Sequence, residues 1–247
     1  MTLQAITFDL DDTLWDNRDV MTRTETGHYA WLDEALDGWL AHRGERHLGR
    51  FADRFPLEAY QASRSRLAQQ HPLRRGDFTW LREHALVELL EAFGLPRGTA
   101  WLWAAAAMCR FHLLRIDVSP YPEVEPLLSE LGCQFRLGSI TNGNLALHRL
   151  ALHRHFQVSI AAGEMLAPKP DARPFLAALS QLDTPTSRAL HVGDSWQEDV
   201  LPALRLGMRA VWIAPDTPHA GELPAGAYRL GHVRELPALV RQLTEAG

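Results

Sequence analysis

The chain has 247 residues, 46% of them hydrophobic, with 17 Gly, 15 Pro and only 2 Cys, which excludes disorder, a collagen repeat and a disulfide scaffold. Its 25 basic and 30 acidic side chains give a net charge of −5, and the arginines are spread from Arg18 to Arg241, so no nucleic-acid partner is expected. The longest apolar run, Ala100 to Cys109, stops at Arg110, too short for a membrane span, and no basic-then-apolar leader precedes Asp9; a cytoplasmic protein with no membrane association is expected.

In chain order, residues 3–8 form a short apolar run that stops at DLDDT, the pattern of a buried strand feeding a polar loop. Helical spacing follows over 21–43, 57–70, 78–93 and 98–116, with Asp77 placed as an N-cap and Gly94-Leu95-Pro96 as a stop. Pro120 and Pro122 mark a linker, 123–132 suits a helix, and strand-like runs then recur at 135–140, 157–161, 188–192 and 209–213. A helix is expected over 142–154. Strands alternating with helices predict an α/β fold with a Rossmann-like parallel sheet. The first strand belongs with the later ones, so the chain divides into a core of 1–15 plus 119–247 and an all-helical insertion of 16–118. Cys109 and Cys133 follow no pairing pattern, suit a reducing compartment and are expected as small buried groups.

In an open parallel sheet, ligands bind beyond the carboxyl ends of the strands. Three such ends carry polar clusters: Asp9, Asp11 and Thr13; Thr141, Asn142 and Gly143; and Gly193, Asp194, Ser195 and Asp199. In extended chain Asp9 and Asp11 point to one side. Two carboxylates so close repel unless one is protonated or a cation lies between them, and Asp194 adds a third. A hard, oxygen-coordinating dication suits this set, and Mg²⁺ fits best because it accepts one or two carboxylates, keeps waters and is completed by phosphate. Thr141 and Asn142 at the head of the expected helix would form an anion site.

Other chemistries fit less well. Counting a calcium loop from Asp9 puts Leu14 at the glycine position and Val20 at the glutamate position, which removes an EF-hand. A serine hydrolase would pair Ser195 with His191, but His191 sits inside an apolar run, where packing is the expected role. No G-x-S-x-G, P-loop or G-x-G-x-x-G pattern occurs. His148, His153 and His155 have neither zinc-protease spacing nor a shared helical face and are expected on an exposed helix.

Four segments in order, FDLDDTLW at 8–15, SITNG at 139–143, the lysine of APKPDARPF at 167–175 and HVGDSWQED at 191–199, resemble the motifs of the haloacid dehalogenase superfamily. That lysine, Lys169, is the only one in the chain; the other 24 of the 25 Lys and Arg residues are arginine. The resemblance implies that Asp9 attacks phosphorus to form an aspartyl-phosphate, and that Asp11 protonates the leaving oxygen and then activates water. It implies Mg²⁺ on the Asp9 carboxylate, the Asp11 carbonyl and Asp194, with Thr141, Asn142 and Lys169 on the phosphoryl oxygens and Asp199 behind the metal. Phosphoryl transfer spreads negative charge over the equatorial oxygens, so an anionic nucleophile needs the positive charge that Lys169 and the metal supply.

About 125 residues separate Thr13 from Ser139 and only 27 lie between Thr141 and Lys169, so the insertion follows the first motif, as in the superfamily's helical-cap class. Dehalogenases of this class lack the second aspartate of the first motif, whereas Asp11 is present; phosphonate-cleaving members use a cap lysine, and this insertion has none. A phosphomutase or other phosphotransferase remains open, and a non-enzymatic binding module is opposed by the complete set of motif residues. The runs at 6–20 and 115–128 are similar to bacterial phosphatases of flavin mononucleotide and of a phosphorylated ribitylaminouracil. The expected partner is a small phosphorylated metabolite. An exposed apolar face on the insertion would favour a homodimer. Trp31, Trp80 and Trp101 are placed as packing residues ahead of ring-stacking ones, and Arg64, Arg66, Arg74 and Arg75 as a solvated face.

Overall fold

The computed structural model describes residues 2–214 and 222–245. Six parallel strands form one sheet: β1 Ala5–Phe8, β2 Arg136–Thr141, β3 Val158–Ala161, β4 Ala189–Gly193, β5 Arg209–Ile213 and β6 Ala227–Leu230, in the order β3-β2-β1-β4-β5-β6. Every residue of β1 and β4 is buried, as expected of central parallel strands covered on both faces. Strand β1 pairs with β2 on one side and β4 on the other, so the strand order reverses beside it, and the crevice past its carboxyl end is the topological switch point.

The chain divides into two compact units, one of residues 1–17 and 118–247, the other of 18–117. Within the sheet unit, helices lie on both faces. Helix α7 (Arg173–Gln181) packs Phe175, Ala178 and Leu179 against Ile140, whereas the backbone of α6 (Val124–Gly132) approaches Leu137, which has the opposite parity in β2. Helices α8 (Leu201–Arg205) and α9 (Leu236–Glu245) complete the unit.

The second unit is all-helical: α1 Arg18–His42, α2 Phe51–Arg54, α3 Leu57–Gln70, α4 Phe78–Phe93 and α5 Arg97–Arg115. Helix α1 buries every fourth residue from Val20 through Thr24, His28, Leu32 and Leu36 to Leu40, which sets two polar side chains into an otherwise apolar stripe. Asp77 caps α4 by accepting from Trp80 N at 3.1 Å, and Gly94 ends that helix at φ 121°, a backbone angle that disfavours any side chain. Trp31, Trp80 and Trp101 are half-buried and pack on the unit's core; Trp80 stacks on His84, with ring centroids 3.9 Å apart.

Three expectations fail. No α-helix covers 142–154: two short 3₁₀ turns, Leu147–Arg149 and Ala151–His155, flank an extended Leu150. The Asn142 side chain bonds Lys169 instead of capping a helix, so polar side chains divert the local backbone here. Both cysteines are exposed, Cys109 on the outer side of α5 and Cys133 at the end of α6, where its thiol donates to Ser129 O. Arg64 is not solvated but pairs with Glu25, which also accepts from the buried Arg82 at 3.2 Å; Arg66, Arg74 and Arg75 keep solvent-facing side chains as expected, with Arg66 pairing with Glu88 and Arg74 with Asp77. Strand β6 has no counterpart among the expected strands, because AYRL is short and half-exposed at the sheet edge.

Candidate active site

Asp9 follows β1 directly, and its backbone N–H donates to Val192 O on β4 at 2.8 Å, continuing the ladder one residue past the strand. The side chain is therefore fixed at the switch point by sheet geometry. Lys169 comes from the loop between β3 and α7, through a cis Lys169–Pro170 peptide bond. Its buried Nζ donates to Asp9 Oδ1 at 2.6 Å and to Asp199 Oδ1 at 2.5 Å. Asp199 lies in a π-helical turn, Trp196–Val200, that follows β4; single π turns recur at functional sites.

Asp9, Asp194 and Asp199 each present an oxygen within 4.8 Å of the others. Burial pushes the Asp9 carboxyl well above its usual range against the pull of Lys169, and Asp199 adds to the push. Burial, with Asp199 and Asp12 nearby, raises Asp194 to about 6. Asp199 goes the other way: burial would raise it, but the Lys169 charge and the His191 hydrogen bond hold it well below the usual carboxylate range. Burial opposes the Lys169 charge too, yet the two aspartates outweigh it and keep the ammonium firmly protonated. Three carboxyls therefore face one ammonium, and ionising all three leaves negative charge uncompensated in a desolvated crevice. The donor set is all oxygen, which fits a hard dication such as Mg²⁺.

Asp11 sits two residues on, and its Oδ1 accepts from the indole Nε1 of the fully buried Trp15 at 3.0 Å. Asp12 occupies the left-handed region at φ 58° and accepts from Asn17 N at 2.9 Å, closing the loop that aims Asp11. Thr141 ends β2, beside β1, and its buried hydroxyl accepts from Gly143 N at 3.0 Å. The Asn142 side chain clamps the Lys169 backbone, accepting from its N at 2.7 Å and donating to its O at 3.1 Å, and also donates to Glu198 at 3.0 Å.

Strand-end aspartates, a buried lysine between two of them and a threonine on the neighbouring strand occur together over a parallel sheet. The family model of haloacid dehalogenase-like hydrolases matches residues 3–207. The chain belongs to that family. The hydrolase is 31% identical over 214 residues to the 5-amino-6-(5-phospho-D-ribitylamino)uracil phosphatase YigB of Escherichia coli (strain K12), over 87% of this chain and 84% of that protein. It is 35% identical over 166 residues to a phosphoserine phosphatase of Thermus thermophilus, over 63% of each chain. A solved structure described as a 2-haloacid dehalogenase from Pseudomonas syringae pv. Tomato DC3000 is similar at a TM-score of 0.84 and 32% identity, over 98% of this hydrolase and 100% of that chain.

Of the residues singled out in the sequence, the contacts of this hydrolase join Asp9, Lys169 and Asp199 directly, tie Asn142 to Lys169, and group Asp194 with the two aspartates. Asp11 is held by Trp15, a contact the sequence did not suggest. The sequence also assigned His191 to packing. Its ring does meet Phe175 edge-on at 4.9 Å, but both ring nitrogens are hydrogen-bonded, to Thr7 and Asp199. The signal lay in the parity: Thr7 and His191 are paired residues of adjacent strands, and Thr7 shares its side with Asp9.

Proposed function

We propose that the hydrolase is a Mg²⁺-dependent phosphatase of small-metabolite phosphomonoesters that works through an aspartyl-phosphate on Asp9. The observation that carries the reading is the buried Asp9–Lys169–Asp199 arrangement with Asp194 beside it, a site short of positive charge. Mg²⁺ would be held by Asp9, Asp194 and the Asp11 backbone carbonyl, and when bound it supplies the charge that keeps Asp9 ionised and offsets the phosphoryl oxygens.

Asp9 attacks phosphorus with the oxygen not given to Lys169; the new O–P bond forms as the bond to the leaving oxygen breaks, and Asp11 gives that oxygen its proton. Asp11 then takes a proton from water, which attacks the same phosphorus, releases phosphate and restores Asp9. Trp15 keeps Asp11 in one rotamer for both transfers. Lys169, with Thr141 and Asn142, holds the phosphoryl oxygens, and Asp199 fixes Lys169 from behind. Flavin mononucleotide or the 5-amino-6-(5-phospho-D-ribitylamino)uracil named for YigB is the first candidate substrate.

A dehalogenase reading is favoured by the Pseudomonas syringae structure. Against it stand Asp11, which a halide leaving group does not need as an acid, and the cluster of three carboxyls, which a haloacid substrate would not neutralise. The deciding experiment measures p-nitrophenyl phosphate and 2-chloropropionate turnover by wild type and Asp9→Asn, with Mg²⁺ and with chelator. Metal-dependent phosphate release lost in Asp9→Asn is expected; chloride release without metal would overturn the reading. A phosphometabolite panel then ranks substrates, and flavin mononucleotide turnover no better than that of a generic ester removes the flavin assignment.

A further inference from the structure

Behind Lys169 runs a hydrogen-bonded line that starts outside the motifs, at Thr7. Thr7, on β1, and His191, on β4, are directly registered across the two central strands, and both are fully buried. Thr7 Oγ1 lies 2.9 Å from His191 Nδ1, and His191 Nε2 lies 3.1 Å from Asp199 Oδ1, the oxygen that also accepts from Lys169. The other Asp199 oxygen accepts from Ser195 N at 3.0 Å. Both Asp199 oxygens already accept, Oδ1 from Lys169 and Oδ2 from Ser195 N, so Nε2 carries the imidazole proton; Nδ1 is then a bare acceptor, and the Thr7 hydroxyl donates to it.

The line sets geometry without adding charge. With burial favouring the neutral ring, His191 gives Asp199 a directed N–H but no cation, so the net charge of the site stays with Lys169 and the aspartates. His191 beside Lys169 on Oδ1 and Ser195 N on Oδ2, donors from β4 and the turn that follows it, fix the plane of Asp199. That plane decides where Lys169 Nζ rests and hence which oxygen of Asp9 it engages. A hydrophobic residue at 191 would fill the same space against Phe175 and leave Thr7 and Asp199 each short of a partner in a dry interior.

We infer that His191, whose tautomer is set by Asp199 and whose ring is held by Thr7, is a positioning residue that acts through Asp199 to fix Lys169 against Asp9. The inference rests on the phosphatase reading for its kinetic consequence, but not for its structural one. Because Lys169 is the only lysine, lysine-selective ¹⁵N labelling gives a single ammonium signal that reports its setting without any turnover.

The test compares wild type, His191→Phe, His191→Gln and Thr7→Val by that signal, by imidazole ¹⁵N shifts, by thermal unfolding and by p-nitrophenyl phosphate kinetics with Mg²⁺. In wild type the imidazole should show the Nε2–H form and the ammonium should be protected from solvent exchange. His191→Phe should shift or broaden the ammonium signal and lower kcat about 10- to 100-fold with KM within about threefold, the usual scale for losing a partner that orients a site ligand. His191→Gln, which keeps an N–H on that side, should recover most of both, and Thr7→Val should keep the Nε2–H form while losing part of both, because Asp199 sets the tautomer and Thr7 only holds the ring. An unchanged ammonium signal in a folded His191→Phe overturns the inference whatever the kinetics. Absence of phosphatase activity in wild type, with the ammonium still responding to His191→Phe, removes the phosphatase reading alone.

Discussion

A Cβ on Gly193 would stand 2.3 Å from Cγ of Asp199, closer than two such atoms can approach. The last residue of β4 must therefore lack a side chain for the π-helical turn after it to fold back over the strand. Asp199 cannot swing aside cheaply, since Lys169, His191 and Ser195 N all bond its carboxylate.

Gly193→Ala should consequently displace Asp199 and, through it, Lys169. A displacement of the order of 1 Å at a catalytic group costs about 100-fold in rate, and a loss of that size in kcat is expected while the protein still folds. Steady-state turnover beside a melting curve measures it; wild-type kcat in Gly193→Ala would show that Asp199 has room to move.

The helices and central strands were legible because they follow simple periods. Helices α3 and α4 begin and end where the spacing and the Asp77 and Gly94 signals put them, and β1 and β4 read as short apolar runs. The residues brought together at the candidate site were legible as odd polar residues at strand ends. What was hidden depends on contacts between distant parts of the chain. Asn142 has the composition of a helix cap, and only the arrival of Lys169, 27 residues later, gives its amide better partners. His191 looked like packing because an apolar run does not reveal which strand lies beside it, and its function comes from Thr7, 184 residues away. Trp15 reads as one more core aromatic until its indole N–H is seen on Asp11.

The buried His28 in the stripe of α1 predicts a pH dependence for the helical unit. Its Nδ1 meets Thr24 O at 2.9 Å, and its ring lies edge-on to Phe111 at 5.2 Å. Burial lowers its pKa from 6.5 to about 4, Arg82 and Arg64 adding to the effect and the Thr24 carbonyl and Glu25 opposing it. The unfolded chain binds this proton more tightly, so the contribution is whole above pH 6.5 and is lost as pH falls towards 4. The shift corresponds to at most about 3 kcal/mol. Denaturant unfolding of wild type and His28→Leu at pH 7.5 and 4.5 isolates it, and equal pH dependence in the two proteins would refute the assignment.

Asp194 offers a test of the metal that does not involve turnover. If a dication offsets the crowded carboxyls, it binds the folded state alone and raises its stability, by about 2.7 kcal/mol at a hundredfold excess over Kd. Mg²⁺ should raise the melting temperature of wild type, and chelator should reverse the rise. Asp194→Asn removes a charge that burial already disfavours, so this variant should be no less stable without metal and should lose the response to Mg²⁺. A full Mg²⁺ response in Asp194→Asn would place the ion elsewhere.

Lys169 is the one lysine among the 25 Lys and Arg residues of the sequence, and the geometry accounts for the exception. Its Nζ bonds Asp9 and Asp199 at 2.6 and 2.5 Å from a buried position. A compact ammonium satisfies both carboxylates from one point and still has a third proton for a phosphoryl oxygen. The planar guanidinium of arginine is wider and delivers its protons in a fixed fork, so it cannot occupy that point without separating the two aspartates. Lys169→Arg should therefore keep the charge, fold with a modest loss of stability and lose at least about 100-fold in kcat, the scale of removing one aimed electrostatic partner. Lys169→Met should do worse in both respects, since two buried carboxylates then lose their counter-charge at a cost of about 3–5 kcal/mol. Turnover and unfolding curves for the two variants separate charge from shape: near-normal activity in Lys169→Arg would mean that charge alone suffices, and that Asp199 is not needed to aim it.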